Sequence, residues 1–385
     1  MEKKTVVGLD FGNFNSFASY ISDIDAETRM GGIANDLIPP HLLEGIPSVY
    51  FYSERAGELC GEEAVRSKAK PEKNRLRYLK RHLGETIMLD DKEVSYDRAI
   101  TKVIQHCIRR ANKQLEARFL ITTNLVSLSY PATYTCAQRQ RLIELAEEAT
   151  LEDGTKVEVF GTIAEPAAAA LDYLAEFAKT DKDTTILTYD LGGGTFDLAL
   201  VAAYPKGRKR QTGETYYYDI INARGISKLG GVEFDDVMYK LLAAKANTSL
   251  NNNESDALKK LAETTKVELS TSFDGLPQLA VGGEYVELPV TREEFESASR
   301  GLLLQTIEET KKILQAHPNQ QPEIILLTGG ASQMPMVKNE LVQSFPEYKG
   351  KIIYFRPSRA IAYGAARFGA AEGDDDVRSG MSIVQ

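Results

Sequence analysis

Two apolar runs frame the chain, Thr5–Ile21 and Ile186–Val201. In each, β-prone residues lead to an aspartate (Asp10, Asp190), a glycine-bearing turn follows, and a second apolar run begins. This pattern predicts two β-hairpins, one near the start of the chain and one near its middle. Their likeness at that separation predicts two halves of similar construction facing each other. Between them the pattern predicts a strand over Ile46–Tyr52 and a helix over Tyr96–Leu115. That helix carries Ile100, Val103, Ile104, Cys107, Ile108 and Ala111 on one stripe. A strand over Asn124–Tyr130 ends at Pro131, a helix covers Ala137–Ala149, and a short strand covers Lys156–Phe160. Pro166 and the alanines after it predict a helix beginning at Glu165. In the second half, helices are expected from about Leu229 to Ala244, over Ala257–Ser270, from Met336, and over Pro357–Ala366. A buried strand, Glu323–Thr328, breaks at Gly329-Gly330.

The turns carry the candidate chemistry. Gly192, Gly193 and Gly194 let the backbone bend sharply and let a ligand approach the N–H groups of the turn. Asp190 stands beside that turn, where a carboxylate can hold a metal-bound water. Gly12 and Asp10 repeat the arrangement in the first hairpin. Two facing hairpins then supply two phosphate cradles and two carboxylates, a clamp suited to a metal–nucleoside triphosphate. Glu165 lies at a helix start, where the dipole favours a carboxylate. Gly230 and Gly231 open a further helix, another place for N–H groups to meet phosphate. Basic residues run from Arg66 to Arg81, including Lys68, Lys70, Lys73, Arg75, Arg77 and Lys80. Such a run is ordinarily a solvated face, the other reading being that one cation enters the cleft. The Lys206–Gln211 run is expected at a solvated hairpin tip.

The 385 residues suffice for two substantial lobes, and 43% hydrophobic with 26% charged residues is ordinary for a globular protein. A net charge of −9 argues against general binding to nucleic acid or anionic membranes. No stretch approaches the roughly 20 apolar residues of a membrane span. The opening residues lead directly into the Asp10 strand, so no signal peptide is expected. Cys60, Cys107 and Cys136 lack metal-ligand spacing and are expected as buried free thiols in a reducing compartment, the cytoplasm.

Asp190-Leu-Gly-Gly-Gly-Thr-Phe-Asp197, with the Asp10 hairpin, resembles the seventy-kilodalton heat-shock chaperones of the actin-like ATPase superfamily. Tyr130–Gln140, Ala164–Leu171, Leu229–Asp236, Glu323–Gln333 and Pro357–Ala366 are similar to further segments of that family, in the same order. The resemblance implies a two-lobed α/β actin-like fold of duplicated ribonuclease H-like domains, each with an inserted subdomain. Lobe I is expected over residues 1–180, with an insertion at about 38–106, completed by 354–385. Lobe II is expected over 181–353, with an insertion at about 228–297.

It also implies ATP or ADP with Mg²⁺ in the cleft, slow ATP hydrolysis, and lobe closure about the helices at 164–171 and 357–366. Gly12, Asn13, Gly192, Gly193, Gly194, Thr195, Gly230 and Gly231 are then the phosphate-binding residues. Glu263, Lys266, Ser270, Gly329 and Gly330 match positions near the nucleoside, although Glu263 and Lys266 at i,i+3 also suit an exposed ion pair. Asp10 and Asp190 would hold Mg²⁺ through water with Glu165, and Glu165 or Asp197 would position the attacking water.

The sequence departs from the family at Asn13 and Phe14, where Thr-Thr is usual, and at Val65, where the family has a catalytic lysine. Val267 and Gln333 stand where arginines commonly flank the adenine. Arg66 and Lys68 are the nearby cations able to replace the lysine. Co-chaperones or exchange factors are the implied partners; peptide binding is not expected from these residues. The alternative readings are a regulatory nucleotide-binding module without useful catalysis, an actin-like filament protein and a small-molecule kinase.

Overall fold

The computed structural model describes residues 5–22, 32–39, 42, 45–66, 72–177, 182–209 and 215–372. Lys68, Lys70, the expected lobe boundary at 180/181, Arg210 and Gln211 of the Lys206–Gln211 run, and the residues beyond Glu372 fall outside them, while Lys206–Lys209 end the strand Phe196–Lys209.

The two predicted hairpins each seed a sheet, and the sheets share one topology. In the first, the strand order is Glu158–Ala164, Leu125–Tyr130, Val7–Asp10, Asn15–Ser22, Ile33–Asp36, and Ile46–Pro47 adds to Asn15–Ser22. In the second it is Ile352–Tyr354, Ile324–Thr328, Thr184–Leu191, Phe196–Lys209, Thr215–Ile226. In both, the central strand runs antiparallel to its hairpin partner and parallel to its other neighbour. The internal repeat read from the two aspartates is therefore present as topology. Asp10 and Asp190 occupy equivalent places near the ends of the two central strands.

Period-2 alternation sorts the second sheet's side chains cleanly. Leu187, Tyr189 and Leu191, with Phe196, Leu198 and Leu200, face one core formed with the helices Gly231–Ala246, Asn252–Glu268, Arg292–Ala316 and Pro335–Ser344. Ile186, Ala199, Val201 and Ala203 face the other way, into the core that also contains Val7, Leu9, Val126 and Leu128 of the first sheet. Two small-residue helices, Glu165–Phe177 and Ala360–Glu372, lie between the sheets.

Those helices cross very closely. A Cβ on Gly364 would lie 1.8 Å from the Ala168 carbonyl oxygen, so nothing larger than hydrogen fits there. The second helix also presses on the first sheet: a Cβ on Gly8 would lie 2.2 Å from the Ala366 nitrogen, and Ser19 donates to the Ala362 carbonyl at 2.7 Å. At the same junction Asp172 is fully buried. Its carboxylate accepts from Arg367 Nε at 2.9 Å and from Arg356 Nη1 at 2.8 Å. The two Ala/Gly-rich helices are thus in direct contact, locked by an ionic cluster around the buried Asp172.

Element boundaries shift modestly from expectation: the long helix is Tyr96–Phe119, the next is Cys136–Glu147, and the strand before Glu165 is Glu158–Ala164. The thiols differ more. Cys107 is buried, but Cys60 is only partly so and Cys136 is exposed at the start of its helix. Helix periodicity placed Cys107 correctly; Cys136 sits just after the Thr135 N-cap, on a turn open to solvent. Among the described residues no helix is long and apolar enough to cross a membrane.

Candidate functional site

Asp10, Glu165 and the hairpin pair Asp190 and Asp197, from three separate parts of the chain, converge where the two sheets meet, and all four are buried. Antiparallel pairing sets Asp190 directly opposite Asp197. Glu165 follows without a gap from the strand ending at Ala164, so it projects where that strand becomes a helix. Thr188 of the second sheet donates to the Pro166 carbonyl at 3.0 Å, tying the helix start to the Asp190 strand. Ser129 donates to Asp10 at 3.2 Å, and the Thr133 backbone N–H donates to Asp197 at 3.2 Å.

A cation completes the cluster. Lys80 Nζ donates to Glu165 Oε1 at 2.5 Å, and the lysine side chain is almost wholly buried. It arrives on a short 3-10 turn, Leu79–His82, which follows Tyr78 in the left-handed region at φ 54°. Tyr134 donates from its hydroxyl to the Lys80 carbonyl at 3.1 Å, fixing that turn against the segment after Pro131. Val65 and Arg66 are instead exposed at the end of the helix Gly61–Arg66. Among the described residues of the basic run, Lys80 enters the carboxylate cluster and Arg81 reaches the Gly194 turn, while Arg66 is exposed. Leu76 and Leu79, both buried, hold the turn against the core. Nothing in the sequence marks Tyr134 for this role, since a lone tyrosine after a proline carries no sign of its partner.

Electrostatically the carboxylates strain against one another. Burial, then the neighbouring charge of Glu165, pushes Asp10 up to about 7. The same two causes in the same order push Asp197 up to about 7. Asp190 is raised well above the usual carboxylate range by burial, then by Glu165, Asp197 and Asp10. For Lys80, burial acts to lower the value, but Glu165 and Asp10 outweigh it and the ammonium ends above its usual range.

These shifts have a stability consequence of definite sign. Between about pH 4 and 7 the folded chain keeps protons on Asp10 and Asp197 that the unfolded chain has released. Metal-free stability attributable to these groups therefore falls as pH rises through that window and levels off above about 7. In urea titrations without divalent cations, Asp197→Asn is expected to flatten this decline relative to wild type. An identical pH profile in the two proteins would refute it.

Asp190 Oδ1 and Asp197 Oδ2 are buried without a hydrogen-bond partner. Buried unpaired carboxylate oxygens are costly and call for a cation or water. No group of three His, Cys, Asp or Glu side chains among the described residues could ligate a metal directly. The donor set fits a hard cation that keeps most of its own waters, as Mg²⁺ does, and does not fit a direct protein cage.

The glycine turns meet at the mouth of this cluster. A Cβ on Gly12 would lie 2.1 Å from the Asn15 carbonyl oxygen, one on Gly193 would lie 2.4 Å from the Phe14 ring, and one on Gly230 2.6 Å from the Gly194 nitrogen. Asn13 is buried against Gly194 with its Oδ1 unpartnered. The Gly231 and Val232 N–H groups donate to the Gly192 and Gly193 carbonyls at 2.9 and 3.0 Å. The Gly230 N–H donates to Glu233 Oε2 at 2.8 Å. Here the structure departs from expectation: the Gly231 and Val232 donors brace the Gly192–Gly194 turn and the Gly230 donor caps its own helix on Glu233, instead of pointing freely into the cleft.

Further out, Lys266 does not pair with the exposed Glu263. It is buried, 2.6 Å from Asp235, and donates to the Gly231 carbonyl at 3.2 Å. Ser270 lies one turn beyond, its hydroxyl 3.5 Å from the Lys266 carbonyl. Val267 and Gln333 are both exposed. Gly329 closes the Ile324–Thr328 strand at φ 80°, and a Cβ there would lie 2.4 Å from Asp190 Oδ1. Gly330 has open space where a Cβ would be. Gly329→Ala should lower stability by more than about 1 kcal/mol through the strained φ and the clash with Asp190. Urea denaturation measures this; an unchanged midpoint would contradict the geometry.

Two sheets of one topology, meeting at buried carboxylates beneath glycine turns, define an α/β protein of the actin-like ATPase fold. A family model described as Hsp70 protein matches residues 89–381. The whole chain is 29% identical, over 401 aligned residues, to the chaperone protein DnaK of Thermotoga neapolitana, covering 62% of that protein. It is 30% identical to DnaK of Mycoplasma mycoides subsp. mycoides, over 95% of this chain and 59% of that one. DnaK of Thermosipho melanesiensis is 28% identical over the whole chain. The chain belongs to the Hsp70 family. It spans about three fifths of the length of these curated relatives.

Proposed function

We propose that this chain binds a Mg²⁺–adenine nucleotide between the two sheets and hydrolyses ATP slowly. The observation that carries the reading is Lys80, a buried ammonium delivered into a cluster of four buried carboxylates. Glycine turns from both halves lie over that cluster. In this reading residues 1–180 with 354–385 form one lobe and 181–353 the other, and the crossing of Glu165–Phe177 with Ala360–Glu372 is the hinge. Asp10 and Asp190, with Glu165, would hold Mg²⁺ through its waters. The ion, when bound, neutralises charge on the phosphate oxygens. Gly12, Asn13 and Gly192–Thr195 bind phosphate oxygens. Lys80 offsets negative charge as it develops on the transferring group. Glu165, held by Lys80, or Asp197 orients the attacking water. Glu263, Lys266, Ser270, Gly329 and Gly330 border the nucleoside, with Lys266 bracing the Gly231 turn and Gly329 allowing the backbone close to the ligand. Val267 and Gln333, both exposed, stand at the positions where the family commonly has arginines beside the adenine.

A nucleotide-driven closure of this kind would serve a chaperone of the DnaK type, with co-chaperone or exchange partners and a cytoplasmic setting. The test is equilibrium binding of ATP and ADP with and without Mg²⁺, for wild type and Asp190→Asn. The reading requires Mg²⁺-dependent binding that weakens in the variant. Binding indifferent to both Mg²⁺ and Asp190 would overturn it.

A further inference from the structure

The residue after Lys80 makes a contact that neither phosphate chemistry nor the fold requires. Lys80 turns into the carboxylate cluster; Arg81, on the same 3-10 turn, reaches the other way, across to the second sheet's glycine turn. Its guanidinium grips Glu233 bidentately, Nη1 to Oε1 and Nη2 to Oε2, both at 2.9 Å. Nε also donates to the Gly194 carbonyl at 2.9 Å, and Nη2 bonds the same oxygen. Glu233 Oε2 meanwhile accepts from the Gly230 N–H at 2.8 Å, at the start of the helix Gly231–Ala246.

The Glu233 carboxylate is thus an anion bound as phosphate oxygens are bound, by a bidentate arginine and a backbone N–H at a helix N-terminus. It lies beside the glycine turn that cradles phosphate in the nucleotide reading. The adjoining Asn13 is buried there with an unpartnered Oδ1. Phe14, stacked edge-on to Tyr78 with centroids 5.3 Å apart, covers Gly193 from the same side.

We propose that Glu233 is an internal stand-in for phosphate: it holds Arg81 as a clasp across the cleft, and an incoming nucleotide phosphate takes Arg81 from it. The inference rests on the nucleotide reading and deepens it, assigning Arg81 as a phosphate-binding residue held in reserve and Glu233 as its competitor. Exchange of one anion for another on Arg81 couples phosphate arrival to loosening of the Arg81–Gly194–Glu233 bridge. A ligand can shift such an equilibrium only by its differential affinity for the two arrangements, which this exchange supplies.

Glu233→Gln keeps an acceptor for the Gly230 N–H, so the helix cap survives while the charge on Arg81 is lost. Nucleotide binding, followed by calorimetry with ADP and ATP in Mg²⁺, should become tighter in Glu233→Gln by roughly fivefold or more. Arg81→Ala should weaken it by about tenfold. In the double variant the gain from Glu233→Gln should vanish. Without nucleotide, amide hydrogen exchange at Gly193–Thr195 should quicken in both single variants. Wild-type binding with Glu233→Gln unchanged or weakened would overturn the competition, since a merely structural Glu233 gives loss in both variants. Absence of binding in wild type and Glu233→Gln alike would overturn the nucleotide reading, and the competition with it.

Discussion

Replacing Lys80 with methionine is expected to slow single-turnover ATP cleavage by about 10²–10³-fold, the usual cost of removing one preorganised donor to a charged transition state. Methionine keeps the buried stem and removes the ammonium. The effect is assigned to charge because Lys80 Nζ sits 2.5 Å from Glu165 and is held charged by Glu165 and Asp10 despite its burial. Nucleotide affinity should fall less than cleavage, because the glycine turns and the carboxylates persist. Apo stability should also change, since Lys80 is the counter-charge to Glu165 and partly offsets the burial of Asp10 and Asp197. Circular dichroism and a urea midpoint establish that the variant is folded. A folded Lys80→Met protein cleaving ATP within about threefold of wild type, under about 1 kcal/mol of barrier, would remove Lys80 from the chemistry.

Asp172→Ala is expected to cost about 3–5 kcal/mol of stability, because it removes the fully buried carboxylate that Arg356 and the buried Arg367 both bond. Asp172 joins the helix Glu165–Phe177 to both Arg367 and Arg356, the latter held in the left-handed region at φ 41°. Burial raises the Asp172 carboxyl, with the two arginines acting against it. The mutational loss is dominated by the buried guanidinium charge that Asp172 no longer balances, so adding Arg367→Met to Asp172→Ala should restore part of it. Urea denaturation of the three proteins measures this. A loss below about 1 kcal/mol would show that the cluster is hydrated and worth no more than a surface pair.

The repeated hairpin was legible because strand alternation, a terminal aspartate and glycines at the turn are local features that the sequence carries openly. The facing of Asp10 and Asp190 followed from the repeat, whereas the place of Glu165 and Asp197 beside them was implied by the resemblance to the chaperone family. Lys80 was harder to see. A run of lysines and arginines is locally indistinguishable from a solvated face, and what buries one member is distant: Glu165 and the Tyr134 hydroxyl. Lys266 illustrates the same limit. Helical spacing offered Glu263, but tertiary packing gave it Asp235, from a different helix. At Gly230 and Gly231 the motif was legible, while the use of its N–H groups was not. The neighbouring Gly192 and Gly193 carbonyls and Glu233 claim them first.

The most direct measurement is single-turnover hydrolysis of Mg²⁺–ATP by the wild-type chain, recording bound nucleotide and released phosphate in the same reaction. Tight binding followed by slow phosphate release, lost in Asp190→Asn and slowed in Lys80→Met, is the outcome this site requires. Binding with no phosphate release over many hours would contradict hydrolysis, and no binding at all would contradict the nucleotide site itself.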